Sequence, residues 1–148
     1  MADPRESPSA LLALADESFV SVTTFRRDGT PVSAPMWVAR DGDRLVLITP
    51  QDTGKVKRLR RDPRVELRPC SRRGVVAPDA RPVSGVADLS AAPADVAAAK
   101  TAIAAKYGLE YRIFMLIERL VRRMRDTPRL AMTVRHAEAS GKDAQGGG

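Results

Sequence analysis

The sequence predicts a single domain of the α+β class, mainly β. Three observations support this: strands rich in Val, Thr and Ile come early in the chain, two Asp-Gly turn signals separate them, and most helical patterns come later. The chain has 148 residues, 43% of them hydrophobic, which is enough to build one core. We find no internal repeat and no linker that would divide it into two domains.

The first third of the chain is predicted to form an antiparallel meander. Its elements are a short helix over residues 9–15 and strands over residues 18–26, 30–40 and 44–49. Asp28-Gly29 and Asp41-Gly42 mark the turns, because glycine accepts the positive φ that tight hairpins need. Pro35 indicates an edge or an irregular place in the second strand, since proline cannot donate to a sheet ladder.

The rest of the chain mixes helices with further strands. We predict helices over residues 53–62, 93–106 and 110–125, and strands over residues 65–69, 82–89 and 130–135. The domain is expected to end at residue 136, and the polar, glycine-ended segment 137–148 to be disordered. The N-terminus lacks an apolar signal core, and no apolar run approaches the ~20 residues that span a bilayer. We therefore predict a cytoplasmic protein that does not enter the membrane.

Positive charge is concentrated in one segment. The chain carries a net charge of +7, and residues 55–73 hold nine Lys and Arg side chains against only Asp62 and Glu66. Such a block favours an anionic partner: a phosphate, a nucleic acid or an acidic tail. A solvated helix face is the alternative interpretation.

Several kinds of chemistry lack the residues they need. His136 is the only histidine and Cys70 the only cysteine, so neither a metal site nor an internal disulfide is predicted. No nucleophile elbow, dinucleotide-binding glycine motif or P-loop is present. Aromatic residues make up 4% of the chain, and there is no helix-turn-helix or zinc-finger pattern. Nucleic acid is therefore not the partner we expect.

The predicted helix over residues 53–62 begins with an unusual charge arrangement. Lys55 and Lys57 lie in its first turn, where a cation opposes the helix dipole at a cost of ~0.3–1 kcal/mol each. A bound phosphate would reverse that effect, because it attracts both the free backbone N–H groups and the lysines. Thr49 and Thr53 could add hydroxyl donors. The alternative is that Thr53 only caps the helix and the lysines are solvated.

The order of these features resembles the pyridoxamine-phosphate-oxidase-like split β-barrel family. Within that family it resembles the actinobacterial branch that uses the deazaflavin coenzyme F420, the flavin/deazaflavin oxidoreductases. The resemblance is carried by Asp28-Gly29-Thr-Pro, Pro35-Met-Trp-Val, Asp41-Gly42-Asp, Leu47-Ile-Thr and Thr53-Gly-Lys-Val-Lys-Arg-Leu-Arg-Arg-Asp-Pro-Arg-Val. Two later segments, Lys106-Tyr-Gly-Leu-Glu-Tyr-Arg and Arg129-Leu-Ala-Met-Thr-Val-Arg, are similar to the ending of one subgroup. The resemblance implies a split β-barrel with peripheral helices.

The resemblance also implies a cofactor site. Residues 34–38 would run beside the flavin-like ring, Thr49 and Thr53 would meet the ribityl and phosphate groups, and Lys55 and Arg58 would pair with the phosphate. Lys57 belongs to the set, although its spacing from Lys55 points it away along the helix. The expected cofactor-binding residues are Pro35, Met36, Trp37, Val38, Thr49, Thr53, Lys55, Lys57 and Arg58.

The cofactor implied is coenzyme F420, with flavin mononucleotide (FMN) as the alternative. Family members that bind FMN often carry Arg where Gly54 stands, and Arg or Lys around Ala34 and Ala39. The small residues here favour the deazaflavin, and its oligoglutamate tail would suit the arginines that follow: Arg60, Arg64, Arg72 and Arg73.

The activity implied is hydride transfer between the deazaflavin and an unidentified small unsaturated substrate. The family arrangement implies a homodimer with the cofactor site at its interface. No catalytic side chain is identified, because the cofactor carries the chemistry. A protein that only binds coenzyme F420, FMN or a tetrapyrrole, without turnover, would look the same in sequence.

Overall fold

The computed structural model describes residues 8–108, 112, 113, 116 and 129–136. In chain order the elements are α1 (Pro8–Ala13), a 3-10 turn (Leu14–Asp16), β1 (Val20–Phe25), β2 (Pro31–Met36), β3 (Ala39–Asp41), β4 (Arg44–Pro50), α2 (Gly54–Arg61), β5 (Arg64–Pro69), β6 (Val83–Ser90), α3 (Pro93–Tyr107) and β7 (Arg129–His136). The α+β, mainly β class is confirmed.

The seven strands form one antiparallel sheet in the order β2-β1-β5-β6-β7-β4-β3. Strands β2 and β3 occupy its two opposite edges, yet only Trp37 and Val38 separate them along the chain. The sheet must therefore curl until its edges meet at these two residues, which we call the barrel seam. This geometry confirms the split β-barrel.

The prediction of one continuous strand over residues 30–40 was wrong. Its first part pairs with β1 and its last part pairs with β4, so the strand breaks where it changes partner. The three-strand meander was wrong for the same reason, because β2 and β4 are not neighbours. The edge position indicated by Pro35 is confirmed, since β2 has a partner on one side only.

The core has two parts, one inside the barrel and one beneath α3. Leu45 and Leu47 point into the larger cluster, whereas Val46, between them on β4, packs in the second cluster with Ala99 and Ile103 of α3. This alternation explains why residues 45–48 form a continuous apolar run. Strand β4 is covered on both faces, as predicted.

Helix α2 matches its prediction closely. Thr53 is the N-cap, and its hydroxyl oxygen accepts from the Val56 N–H at 3.4 Å. Val56 and Leu59 are buried, and the helix ends before Pro63. The helix therefore presents its apolar side to the barrel, while Lys55 reaches β2 and Arg58 reaches β1.

The later elements agree with their predictions to within two residues where the structure describes them. Helix α3 ends at Gly108, whose φ of 59° suits glycine. Of the predicted helix over residues 110–125, only residues 112, 113 and 116 are described, each in helical conformation. The rest of that helix and the predicted tail 137–148 lie outside the described residues. None of the described helices is long and apolar enough to cross a membrane.

Candidate functional site

Lys55 lies in the first turn of α2, against the edge strand β2. Its ammonium is 3.2 Å from the Met36 sulfur, and a thioether is a weak acceptor. Among the described residues, no carboxylate forms an ion pair with it. Burial, together with the positive charge of the nearby Arg58, lowers the pKa of Lys55 from 10.5 to about 8. Lys55 is a half-buried cation without a counterion among the described residues.

Arg58 brings a second cation to the same end of α2. Its Nε donates to the Thr24 hydroxyl on β1 at 2.7 Å. The guanidinium folds back over the helix start, so that a Cβ added to Gly54 would lie 2.9 Å from Nη1 of Arg58. The small residue at position 54 therefore leaves room for the Arg58 side chain.

The first backbone amides of α2 are available to a ligand. The Thr53 hydroxyl lies 3.3 Å from the Pro50 carbonyl oxygen, to which it donates, and accepts from Val56, which fixes the helix start. The N–H groups of Gly54 and Lys55 have no partner among the described residues, as is usual for the first turn of a helix. Free amides together with the two cations of Lys55 and Arg58 make this corner suited to a phosphate.

Thr49 lies beneath this corner, and Lys57 lies on the exposed side of α2. Thr49 is fully buried on β4, and its hydroxyl donates to the Pro50 carbonyl at 3.4 Å, so it supports the loop from beneath. Lys57 is exposed, and its ammonium makes no hydrogen bond or ion pair with the described residues. The structure thus brings Met36, Thr53, Lys55 and Arg58 together.

The residues expected beside the ring face different ways. Met36 and Val38 are buried and belong to the barrel interior, whereas Pro35 is exposed. Trp37 packs on the α3 side, stacked on Tyr107 with ring centroids 4.8 Å apart and an angle of 17° between the planes. A ring lying along this segment would therefore meet mainly its exposed edge at Pro35 and its backbone.

Sequence reasoning missed three residues that shape this region. Thr24 holds Arg58, and nothing distinguishes it in the sequence from the other threonines of β1. Lys106 and Tyr107 contact the barrel seam from the end of α3. Their segment was noted only for its resemblance to a subgroup, and a separation of 68 or 69 residues from Val38 leaves no local signal of the contact.

The family assignment rests on a match that spans most of the chain. Residues 8–141 match the family described as pyridoxamine 5'-phosphate oxidase. The chain belongs to this family. The family includes oxidoreductases that use flavin-type cofactors. No curated protein matches the sequence significantly.

Solved structures of similar fold agree with the assignment. A conserved hypothetical protein of Mycobacterium tuberculosis, Rv2991, is 22% identical, with 90% of this chain and 79% of that chain covered and a TM-score of 0.58. A protein described as an F420 reductase is 20% identical, with coverages of 91% and 94% and a TM-score of 0.53. A putative 5-nitroimidazole antibiotic resistance protein of Bacteroides thetaiotaomicron is 15% identical, with coverages of 90% and 80% and a TM-score of 0.58. At these identities the three structures establish the fold.

Proposed function

We propose that this member of the pyridoxamine 5'-phosphate oxidase family is an oxidoreductase dependent on coenzyme F420, acting on a small unsaturated substrate. The observation that carries the proposal is the ammonium of Lys55, half-buried beside a thioether and next to Arg58, with no counterion among the described residues. Flavin-type cofactors, which members of this family use, carry a phosphate that can act as the missing counterion of Lys55. The similarity to an F420 reductase supports the deazaflavin as the cofactor.

The residues divide the work of binding as follows. Lys55 and Arg58 pair with the phosphate, and the free N–H groups of Gly54 and Lys55 donate to it. Thr53 keeps the helix start in place through its bonds to Pro50 and Val56. When bound, the deazaflavin supplies the hydride chemistry, so the protein needs to orient it and exclude water.

The choice of coenzyme F420 over FMN rests on the space around Gly54. Arg58 already occupies the volume where a side chain at position 54 would lie. The corner therefore holds one guanidinium, that of Arg58, and has no room for a second one from position 54. Exposed arginines lie beyond it: Arg60 in the last turn of α2, Arg64 at the start of β5, where it pairs with Asp62, and Arg72 and Arg73 after β5. We assign them to the oligoglutamate tail, which FMN lacks.

A direct test is a side-by-side titration with coenzyme F420 and with FMN. The fluorescence of Trp37, the only tryptophan, is the readout. We expect saturable binding of both, with the tighter dissociation constant for coenzyme F420. The affinity for coenzyme F420 should fall as salt rises, because tail and arginines attract each other through solvent. Tighter binding of FMN would contradict the cofactor assignment.

A second candidate is a protein that binds the same cofactor without turnover. The proposed oxidoreductase needs no catalytic side chain, so the two candidates differ only in the rate at which bound cofactor reacts with a substrate. Steady-state oxidation of reduced coenzyme F420 with a panel of unsaturated acceptors separates them. Turnover above the rate without protein supports the oxidoreductase, whereas tight binding without turnover supports the binding protein.

A further inference from the structure

The barrel seam is held by two consecutive residues at the end of α3. Val38 lies outside the strand ladders, since β2 ends at Met36 and β3 begins at Ala39. Its N–H and C=O are buried and need partners from elsewhere. The Tyr107 hydroxyl accepts from the Val38 N–H at 3.1 Å, and the Lys106 ammonium donates to the Val38 carbonyl at 2.7 Å.

The same two side chains also hold the segment that leads into β1. The Tyr107 hydroxyl donates to the Ser18 carbonyl at 2.7 Å, and the Lys106 ammonium donates to the Glu17 carbonyl. Lys106 further lies 4.9 Å from the centre of the Tyr107 ring, and that ring stacks on Trp37. One pair of residues thus ties the end of α3 to the entry of β1 and to the seam.

The seam connects directly to the candidate phosphate corner. Met36 precedes it by one residue and contacts the Lys55 ammonium. A shift of Val38 would displace the backbone of residues 36–38 and turn the Trp37 ring. The cations and free N–H groups of the phosphate corner belong to α2, whose start is fixed by the Thr53 cap, so they should keep their places. The hydrogen bonds from Lys106 and Tyr107 to Val38 therefore help to fix the surface along residues 36–38, where the proposed cofactor ring lies.

We infer that Lys106 and Tyr107 are positioning residues that set the geometry of residues 36–38 for the cofactor ring. The inference rests on the proposed function for its ligand, and on the seam contacts for its structural part. Neither residue is required to touch the cofactor. Their loss should weaken ligands that contain the ring and leave the attraction for a bare phosphate unchanged.

The test compares Tyr107→Phe, which keeps the stacked ring and removes the hydroxyl, with the wild type. We expect the affinity for coenzyme F420 to fall roughly tenfold, the size associated with one lost hydrogen bond to a buried group. The affinity for inorganic phosphate, measured by calorimetry, should stay the same. Amide exchange at Val38 should accelerate, and the near-ultraviolet circular dichroism of Trp37 should change.

Two further variants keep the result interpretable. Lys106→Met should weaken coenzyme F420 as Tyr107→Phe does, and Lys106→Arg should restore part of the affinity because it keeps a donor. Arg27→Met removes one positive charge from an exposed turn and serves as the charge control. Urea denaturation of each variant establishes that it is folded before its affinity is measured.

The outcomes separate this inference from the proposed function. If the wild type binds coenzyme F420 and Tyr107→Phe binds it equally well, the positioning role is overturned. If Tyr107→Phe loses as much affinity for inorganic phosphate as for coenzyme F420, the positioning role is also overturned, since the effect would then lie at Lys55. If the wild type binds neither cofactor, the proposed function fails. The seam contacts are then judged by exchange at Val38, where unchanged protection in Tyr107→Phe counts against them.

Discussion

Lys55 carries a positive charge where the described chain gives it no counterion. Its contact with the Met36 sulfur is a poor substitute for a carboxylate or for water. A protein that holds a cation in this way loses stability in the free state and gains affinity for an anion. The two effects can be measured separately.

Removal of the Lys55 side chain should weaken the proposed cofactor. We expect Lys55→Ala to cost ~1.5–3 kcal/mol of binding free energy for coenzyme F420, because a charge-assisted contact to phosphate is lost. Lys57→Ala is the matched comparison, since it removes the same charge from the exposed side of the same helix. A titration followed by Trp37 fluorescence measures both. Equal losses would show that general attraction, and not the Lys55 position, governs binding.

The free protein should be stabilised when the half-buried charge of Lys55 is removed. The folded-state pKa of Lys55 is about 8 against an ordinary value of 10.5, so the penalty is full below pH 8 and is relieved as pH rises toward 10.5. Lys55→Met should raise the free energy of unfolding by about 1–3 kcal/mol at pH 7. The gain should shrink toward zero near pH 10.5.

Urea denaturation of the wild type and Lys55→Met at pH 7 and pH 10 measures this difference. The comparison between the two proteins cancels the titration of other groups. A gain that is the same at both pH values would point to better packing of the methionine and would contradict the charge explanation.

At the scale of elements, the start of α2 combines a small residue with a folded-back arginine. Gly54→Ala would place a Cβ 2.9 Å from Nη1 of Arg58 and displace the guanidinium. Alanine favours a helix over glycine by about 0.5–1 kcal/mol, so stability should hold or rise slightly. Affinity for coenzyme F420 should fall roughly three- to tenfold, about 0.7–1.4 kcal/mol.

Thr24→Val is a second, independent test of the role of Arg58. It keeps the side-chain shape and removes the hydroxyl that accepts from Arg58. Both variants should lose affinity if the Arg58 position matters, while their circular dichroism stays that of the wild type. Unchanged affinity in both would remove Arg58 from the site.

The elements were predictable where the signal is local. Helix α2 follows from the Thr53 cap, the apolar pair Val56 and Leu59, and Pro63. Strand β4 follows from its apolar run. The break at the barrel seam did not follow, because residues 30–40 alternate normally and the change of partner is decided by closure of the sheet. Contacts between α3 and Val38 depend on that same closure.

The candidate site was predictable in part for the same reason. Lys55, Arg58 and Thr53 lie within one helical turn or two, so their spacing alone brings them together. Their neighbours Thr24 and Met36 lie on strands β1 and β2, and no sequence motif marks them as part of the site. Trp37 shows the limit most clearly, because its side chain faces α3 and only the packing of Tyr107 reveals it.

At the scale of the whole molecule, we propose the homodimer that the family resemblance implies, with the cofactor site at its interface. Ile113 and Leu116, three residues apart in helical conformation, are 52% and 60% exposed. Apolar side chains spaced in this way on one helical face suit burial against another chain. Light scattering at micromolar concentration should give about twice the 16.0 kDa of one chain.

Diluting the protein tests whether the dimer is needed for cofactor binding. If the site is shared between two chains, the affinity for coenzyme F420 should drop at protein concentrations where the dimer dissociates. A monomer that binds the cofactor with unchanged affinity would contradict the shared site. Ile113→Glu should shift the dissociation to higher concentration, because it buries a charge in the proposed contact.

The two-residue seam has a consequence for how the barrel tolerates changes in length. Trp37 and Val38 join the two edge strands directly, so their length limits how far those edges can separate. A residue inserted there should let β2 and β3 move apart. The longer connection from β5 to β6 joins strands that are already neighbours, so an insertion in it leaves the girth of the barrel unchanged. The separation of the two sheet edges should therefore respond to chain length at the barrel seam and not to the length of the β5–β6 connection.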